Sequence, residues 1–273
     1  MRTYIVRPAS ILIALFVTGF LLKSLGVAEI VTRASTDNNS HLTFTTEDGL
    51  ILNVWKSDAA RPADTTAKPS DTAAKRPGLA LLLPMMSKTH ESYDPLIQRL
   101  NDHGYSTLAF DLRGHGLSNR VGPDSLSYAD MKDDQFAEIP NDVDLFFRYF
   151  RSTHQDEYDY ANVIIVGASI GANTAGLLLG QDWVTRAVLL SPGRDYRGLR
   201  PEIVMASPDT EPTKPIYLAV STEDTYSAES SQWLFDNYHA PKVLKKYPGQ
   251  NHGTNIFLNV KGADAELFDW LSK

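Results

Sequence analysis

The chain has 273 residues, of which 42% are hydrophobic and 22% charged, with a formal net charge of −7 and a pI near 5.5. That length buries a substantial core in what is expected to be one α/β-sized domain, and an acidic body with seven scattered histidines argues against a nucleic-acid partner. Cysteine is absent, which excludes disulfides, thiolate metal sites, a cysteine nucleophile and lipid attachment through cysteine.

In chain order, Arg2 and Arg7 precede an apolar stretch over residues 11–22, and small residues Gly26 and Ala28 follow. The stretch has the length of a signal-peptide core rather than of a full bilayer span, so residues 1–28 are expected to direct export across a membrane. An uncleaved N-terminal membrane anchor is the alternative, because Lys23 and Ser24 interrupt the apolar run only briefly. A buried first helix is the third reading.

Residues 42–46 and 50–55 flank Glu47-Asp48-Gly49 and read as an antiparallel hairpin at one edge of a sheet. Residues 57–77 are rich in Ala, Thr, Asp, Lys and Pro, too poor in large apolar side chains to order themselves, and read as a solvated low-complexity loop. The run at 79–83 is a buried strand; Asp94-Pro95 opens a helix carrying Leu96, Ile97 and Leu100; residues 106–110 form the next strand. Asn141 is a candidate cap for a helix bearing Val143, Phe146, Phe147 and Phe150. Further strands are expected at 163–166, 187–191, 216–220 and 243–247, with helices at 170–179, 228–237 and 263–271 between and after them. Strands alternating with helices predict a mostly parallel sheet covered on both faces, with ligand chemistry at the carboxyl ends of its strands.

At one such end stands Gly167-Ala168-Ser169-Ile170-Gly171. A serine at a strand-to-helix turn sits beside free N–H groups and the positive end of the helix dipole. The motif alone is weak, arising by chance in roughly one chain of this size in ten, so the serine needs companions. A serine hydroxyl is a poor nucleophile without a base and a group that orients the base. His252 lies in the polar loop Gly249-Gln250-Asn251-His252-Gly253 after the last strand, and Asp224 just past the strand at 216–220. The order Ser169, Asp224, His252 is the one a triad takes on such a sheet.

With these residues in place, the chain is seen to resemble the α/β-hydrolase superfamily, in its esterase, lysophospholipase and serine-aminopeptidase-like branch. The resemblance spans residues 41–273 and includes Leu81-Leu82-Leu83-Pro84-Met85 and Asp111-Leu112-Arg113-Gly114-His115-Gly116-Leu117-Ser118 as well as the serine elbow and the acid and histidine loops. It implies an eight-stranded, mostly parallel sheet flanked by helices. Ser169 would be nucleophile, His252 general base and then acid, and Asp224 its orienter. Oxyanion donors would be the backbone N–H groups of Ile170 and Met85, or of Met86 if the register differs by one. The sequence departs from many relatives in ending the third strand with Leu83-Pro84 rather than His-Gly, and proline has no N–H to offer.

Several residues are rivals for these roles. Glu223 and Asp195 compete with Asp224 for the acid. His115 is expected to serve as loop scaffold. His41, His90, His103, His154 and His239 have no companion carboxylate in sequence, and no pair has metal-site spacing. Between Pro192 and Lys214 there is little room for a large cap, and Tyr196, Leu199, Met205, Met85, Met86 and residues 121–138 are candidate walls. The expectation is a cofactor-free carboxylesterase for short or medium acyl esters or thioesters, with a small-molecule substrate and no metal. An amidase or aminopeptidase is the enzymatic alternative, and a noncatalytic envelope binding protein on the same scaffold the alternative of another class.

Overall fold

The computed structural model describes residues 30–34, 39–59, 76–207 and 213–273. The expected signal peptide or anchor and most of the low-complexity loop lie outside the described residues. Among the described residues no helix is long and apolar enough to cross a membrane.

The strands are β1 (Ile30–Ala34), β2 (Asn39–Thr45), β3 (Ile51–Ser57), β4 (Gly78–Leu83), β5 (Tyr105–Asp111), a small ribbon of β6 (Arg120–Val121) with β7 (Asp124–Ser125), β8 (Val163–Ala168), β9 (Arg186–Leu190), β10 (Ile216–Ser221) and β11 (Lys242–Tyr247). The main sheet runs β1-β2-β3-β5-β4-β8-β9-β10-β11. From β5 to β11 every pairing is parallel, and the β1-β2-β3-β5 pairings are antiparallel. The eight strands expected from sequence are all present, and β1 extends their antiparallel edge. The hairpin of β2 and β3 is therefore not the outermost pair; β1 covers it.

The helices are α1 (Asp94–Asp102), α2 (Asp133–Ala137), α3 (Ile139–Thr153), α4 (Ile170–Leu178), α5 (Glu202–Met205), α6 (Thr225–Asn237), α7 (Asn255–Asn259) and α8 (Ala263–Leu271). Asn141 does not cap α3: the helix begins two residues earlier, with Glu138 as its cap residue and Pro140 in its first turn, where a missing N–H costs nothing. Similarly, α6 begins directly after Asp224 rather than at 228.

Alternate side chains of the central strands enter two cores. Leu79, Leu81 and Leu83 of β4, with Val163 and Ile165 of β8, join Phe146, Phe147 and Phe150 of α3 on one face. Ala80 and Leu82, with Ile164, Val166 and Ala168, meet Leu96 and Leu100 of α1 and Leu267 and Phe268 of α8 on the other. Burial on both faces is why these strands read as unbroken apolar runs. Helix α4 is buried as well, and its small side chains let it lie close on β8 and β4. Arg113 forks onto the buried Asp142 through Nε and Nη2 at 2.8 and 2.7 Å and reaches Asp48 through Nη1 at 2.6 Å, tying the turn after β5 to α3 and to the β2–β3 turn.

Candidate active site

Ser169 sits between β8 and α4 with φ 52° and ψ −115°, a backbone state that costs a non-glycine residue about 1–3 kcal/mol and persists only where surrounding structure over-determines it. Two glycines make that fit possible. A Cβ on Gly167 would stand 2.1 Å from Gly171 O, and one on Gly171 would stand 2.2 Å from Leu83 O. The first absence lets the chain fold back onto the start of α4. The second lets α4 press against the end of β4, bringing the Pro84–Met85 backbone beside the serine. Ser169 N–H donates to Leu190 O at 2.8 Å, fixing the elbow to β9.

The end of β4 is held from the other side by Tyr93, which carries no local sequence signal for this role. Buried Tyr93 donates its hydroxyl to Leu83 O at 2.8 Å, with Val166 O at 3.1 Å, so β4 and β8 share one clamp just before Met85 and Ser169. Met85 is buried, and its carbonyl accepts Lys88 N–H at 3.1 Å across a turn in which Ser87 has φ 64°. Ile170 is the first residue of α4, so its N–H has no preceding helical carbonyl to bind.

Past β10, Asp224 opens α6, and past β11 the histidine loop returns to the elbow. His252 Nδ1–H donates to Asp224 Oδ2 at 2.6 Å, which leaves Nε2 as the basic nitrogen. Backbone bonds Thr222 N–H to Tyr247 O at 2.8 Å and Glu223 N–H to Gly249 O at 3.0 Å bind the two loops together. Gly253, next to His252, packs against Met85 and Ala168 and donates its N–H to the buried Ser191 Oγ at 3.0 Å. The histidine loop thus lies directly against both the serine elbow and the Met85 turn. Ser191 is a second positioning group with no local sequence signal, its role set by a residue 62 positions away.

Among the rivals, Glu223 is exposed, and Asp195 spends its carboxylate on Gly198 N–H at 2.8 Å. His115 is 2% exposed, binds Arg113 O through Nδ1 at 2.9 Å and stacks on Tyr128 at 4.7 Å. Burial pulls its pKa below the ordinary value, as suits a neutral scaffold residue. One expectation needs correcting: His90 does have a carboxylate partner. Its Nδ1–H and its backbone N–H both donate to Asp111 Oδ1, at 2.9 and 3.0 Å, and its ring stacks on Trp55 at 3.4 Å. The two residues are 21 apart in sequence, so no local spacing could reveal the pair. His41 binds Asn53, and His154 and His103 bind main-chain carbonyls one helical turn back.

Beyond the Met85 turn lies a polar cavity of about 180 Å³ lined by Ser87, Thr89, Asn119, Ser127 and Tyr128 among others. A larger one of about 460 Å³, at Arg151, Tyr160 and Trp183, opens near the amino ends of β8 and β9, away from the serine. The segment between Pro192 and Lys214, too short for a large cap, holds among its described residues a tight turn bridged between Tyr196 and Leu199 and the single turn of α5. Among the described residues no cluster of three or more His, Cys, Asp or Glu is arranged to hold a metal ion.

Comparison with known proteins agrees with this architecture. The family model described as serine aminopeptidase, S33, matches residues 75–206, the span from β4 through the elbow to α5. Among solved structures, the acetyl xylan esterase from Paenibacillus sp. R4 superposes with a TM-score of 0.64 at 13% identity, covering 94% of this chain and 93% of its own. The esterase Pf2001 of Pyrococcus furiosus gives 0.59 at 17% identity over 92% and 94% of the two chains. Est1E from Butyrivibrio proteoclasticus, solved with ferulic acid bound, gives 0.57 at 17% identity over 83% and 98%. No curated protein sequence matches the chain. With an α/β-hydrolase sheet, a serine elbow at the carboxyl end of β8 and a serine-aminopeptidase-like family model over residues 75–206, the chain has the α/β-hydrolase fold and is an enzyme of the serine-hydrolase kind.

Proposed function

We propose that this hydrolase is a carboxylesterase that cleaves short or medium acyl esters or thioesters through an acyl-enzyme on Ser169. The observation that carries the reading is the bonded His252–Asp224 pair, whose loop packs against a serine held at positive φ. In this mechanism Asp224 holds the Nδ1–H tautomer, and Nε2 takes the Ser169 proton as Oγ attacks the carbonyl carbon. The tetrahedral oxyanion is received by the N–H groups of Ile170 and Met85, charge-stabilising donors of the kind whose individual loss typically costs ~10²–10³ in turnover. His252 then protonates the leaving alcohol, activates a water for attack on the acyl-enzyme, and returns the proton to Ser169. In this reading buried Met85 and the compact Tyr196–Leu199 turn wall the acyl site and restrict it to short or medium acyl groups. The ester preference is supported by neighbours whose names describe esterases; the description of the matching family model favours an aminopeptidase as the second reading.

The test is labelling of the purified protein with a fluorophosphonate, followed by turnover of 4-nitrophenyl acetate and of an amino-acid 4-nitroanilide. We expect Ser169→Ala to abolish labelling and to lower ester turnover by about a millionfold, the loss seen when one member of such a unit is removed. Wild-type hydrolysis by that variant would refute the mechanism, and preference for the anilide would favour the peptidase reading. We further propose that residues 1–28 export the chain or tether it outside a bacterial-type membrane, on the strength of Arg2, Arg7 and the apolar stretch behind them. N-terminal sequencing of the labelled band reports which, and recovery of an unprocessed, unattached chain would refute both.

A further inference from the structure

Between His252 and α6 stands a tyrosine held far more firmly than a pocket wall requires. Tyr196 lies in a turn in which Arg197 and Gly198 have φ 56° and 83°, closed by reciprocal backbone bonds between Tyr196 and Leu199 at 3.2 and 3.0 Å. Asn173, buried on α4 four residues after the nucleophile, grips both ends of the loop: its Oδ1 accepts Gly193 N–H at 2.9 Å and its Nδ2 donates to Leu199 O at 2.7 Å. Tyr226 of α6 binds the Asp195 backbone twice, accepting its N–H at 2.9 Å and donating to its carbonyl at 2.8 Å. Arg197 ties the tip to Met131 O at 2.8 Å. Gly193 has no side chain where a Cβ would stand 2.8 Å from the Tyr196 ring. So placed, the ring meets His252 edge-on at 6.4 Å, and its hydroxyl bonds Ser227 Oγ at 3.0 Å with the Ser169 side chain as a neighbour.

We infer that Tyr196 is a further catalytic residue, its O–H donating to Ser169 Oγ as that oxygen gains negative charge. The inference rests on Ser169 being the nucleophile proposed above. Tyr196 has one proton. For Ser169 to give its own proton to His252, Tyr196 must donate to Oγ and accept from Ser227, whose hydroxyl supplies the compensating bond. Burial holds the phenol in its neutral, donating form. In the resting protein the phenol's hydrogen bond is the one with Ser227, and the bond to Oγ forms as that oxygen becomes anionic, as catalytic hydrogen bonds commonly tighten along the reaction. No proton leaves Tyr196: the Ser169 proton passes to His252 Nε2, the Oγ–carbon bond forms, and the phenol offsets charge on Oγ. The same donor acts again in deacylation, when the Oγ–carbon bond breaks and Oγ departs.

The experiment compares wild type, Tyr196→Phe and Tyr196→Ala in 4-nitrophenyl acetate kinetics and in the second-order rate of fluorophosphonate labelling, with thermal unfolding as the check on folding. Phenylalanine keeps the ring against His252 and Gly193 and removes only the hydroxyl. A hydrogen bond to a charged oxygen formed in the transition state corresponds to a loss of ~10- to 100-fold in kcat, with KM little changed and labelling slowed by a similar factor. If Tyr196 is merely a wall, Tyr196→Phe is silent in both assays and Tyr196→Ala only admits longer acyl groups; that result overturns the inference while leaving Ser169 in place. A folded wild-type protein that does not label overturns the serine mechanism itself, and this inference with it.

Discussion

Gly171→Ala probes the contact on which the site is built. A Cβ at this position would stand 2.2 Å from Leu83 O and 2.7 Å from both Leu83 C and Pro84 O. All three are main-chain atoms, so no side-chain rotation relieves the clash. Raising the closest approach from 2.2 to the 3.0 Å that real Cβ atoms respect requires α4 and the end of β4 to separate by about 0.8 Å. Tyr93 holds Leu83 O from the other side, which resists that movement. The displacement falls on the proposed Met85 donor and on Ser169 together. Misplacement by ~1 Å costs on the order of 10²-fold in rate, and overpacking a core typically costs about 1–3 kcal/mol. We therefore expect kcat/KM for 4-nitrophenyl acetate to fall ~100-fold in a protein that still folds at a lower melting temperature. Gly180→Ala, just past the same helix, is the control: its Cβ would meet Val204 Cγ1 at 3.7 Å, an ordinary contact, and turnover should hold. Wild-type turnover in Gly171→Ala would refute the argument that this close approach sets the oxyanion site.

Two other substitutions test separate parts of the molecule. In Asp224→Asn the amide donates to Nδ1 and leaves the proton on Nε2, so kcat should fall by about 10⁴-fold, as it does when a triad carboxylate is replaced in this way; exposed Glu223→Gln should change nothing, and the reverse pattern in an ester assay would reassign the acid. The Arg113 hydrogen bond holds the Asp48 carboxyl at about 2, below its ordinary 3.8. A depressed acid contributes stability that is complete above the unfolded value and lost as pH falls through the folded one. Thermal unfolding of wild type and Asp48→Asn should accordingly differ at neutral pH and converge as pH falls from 3.8 to about 2; a gap that does not narrow would show that the carboxylate charge is not what Arg113 needs.

The sequence by itself determined the elements and their class. Strands buried on both faces must be apolar at every position, so residues 79–83 and 163–166 declare themselves as the parallel strands they form, and helix-period patterns such as Leu96, Ile97 and Leu100 mark what lies between. The elbow was legible for the same local reason, since the two glycines and the serine are adjacent and their close-packing demand is met within one turn. The order of acid and histidine loops was legible because a parallel sheet sends every strand end to one edge. Tertiary structure decided which loop residues meet there. His90 with Asp111, Ser191 with Gly253, Tyr93 with the ends of β4 and β8, and Tyr196 with Ser227 are pairings across 10 to 73 residues. Nothing near any one partner encodes the other, because such contacts follow from strand order and loop path. Asp224 was separable from Glu223 only once α6 was seen to begin at Thr225, which turns one carboxylate toward His252 and leaves its neighbour in water.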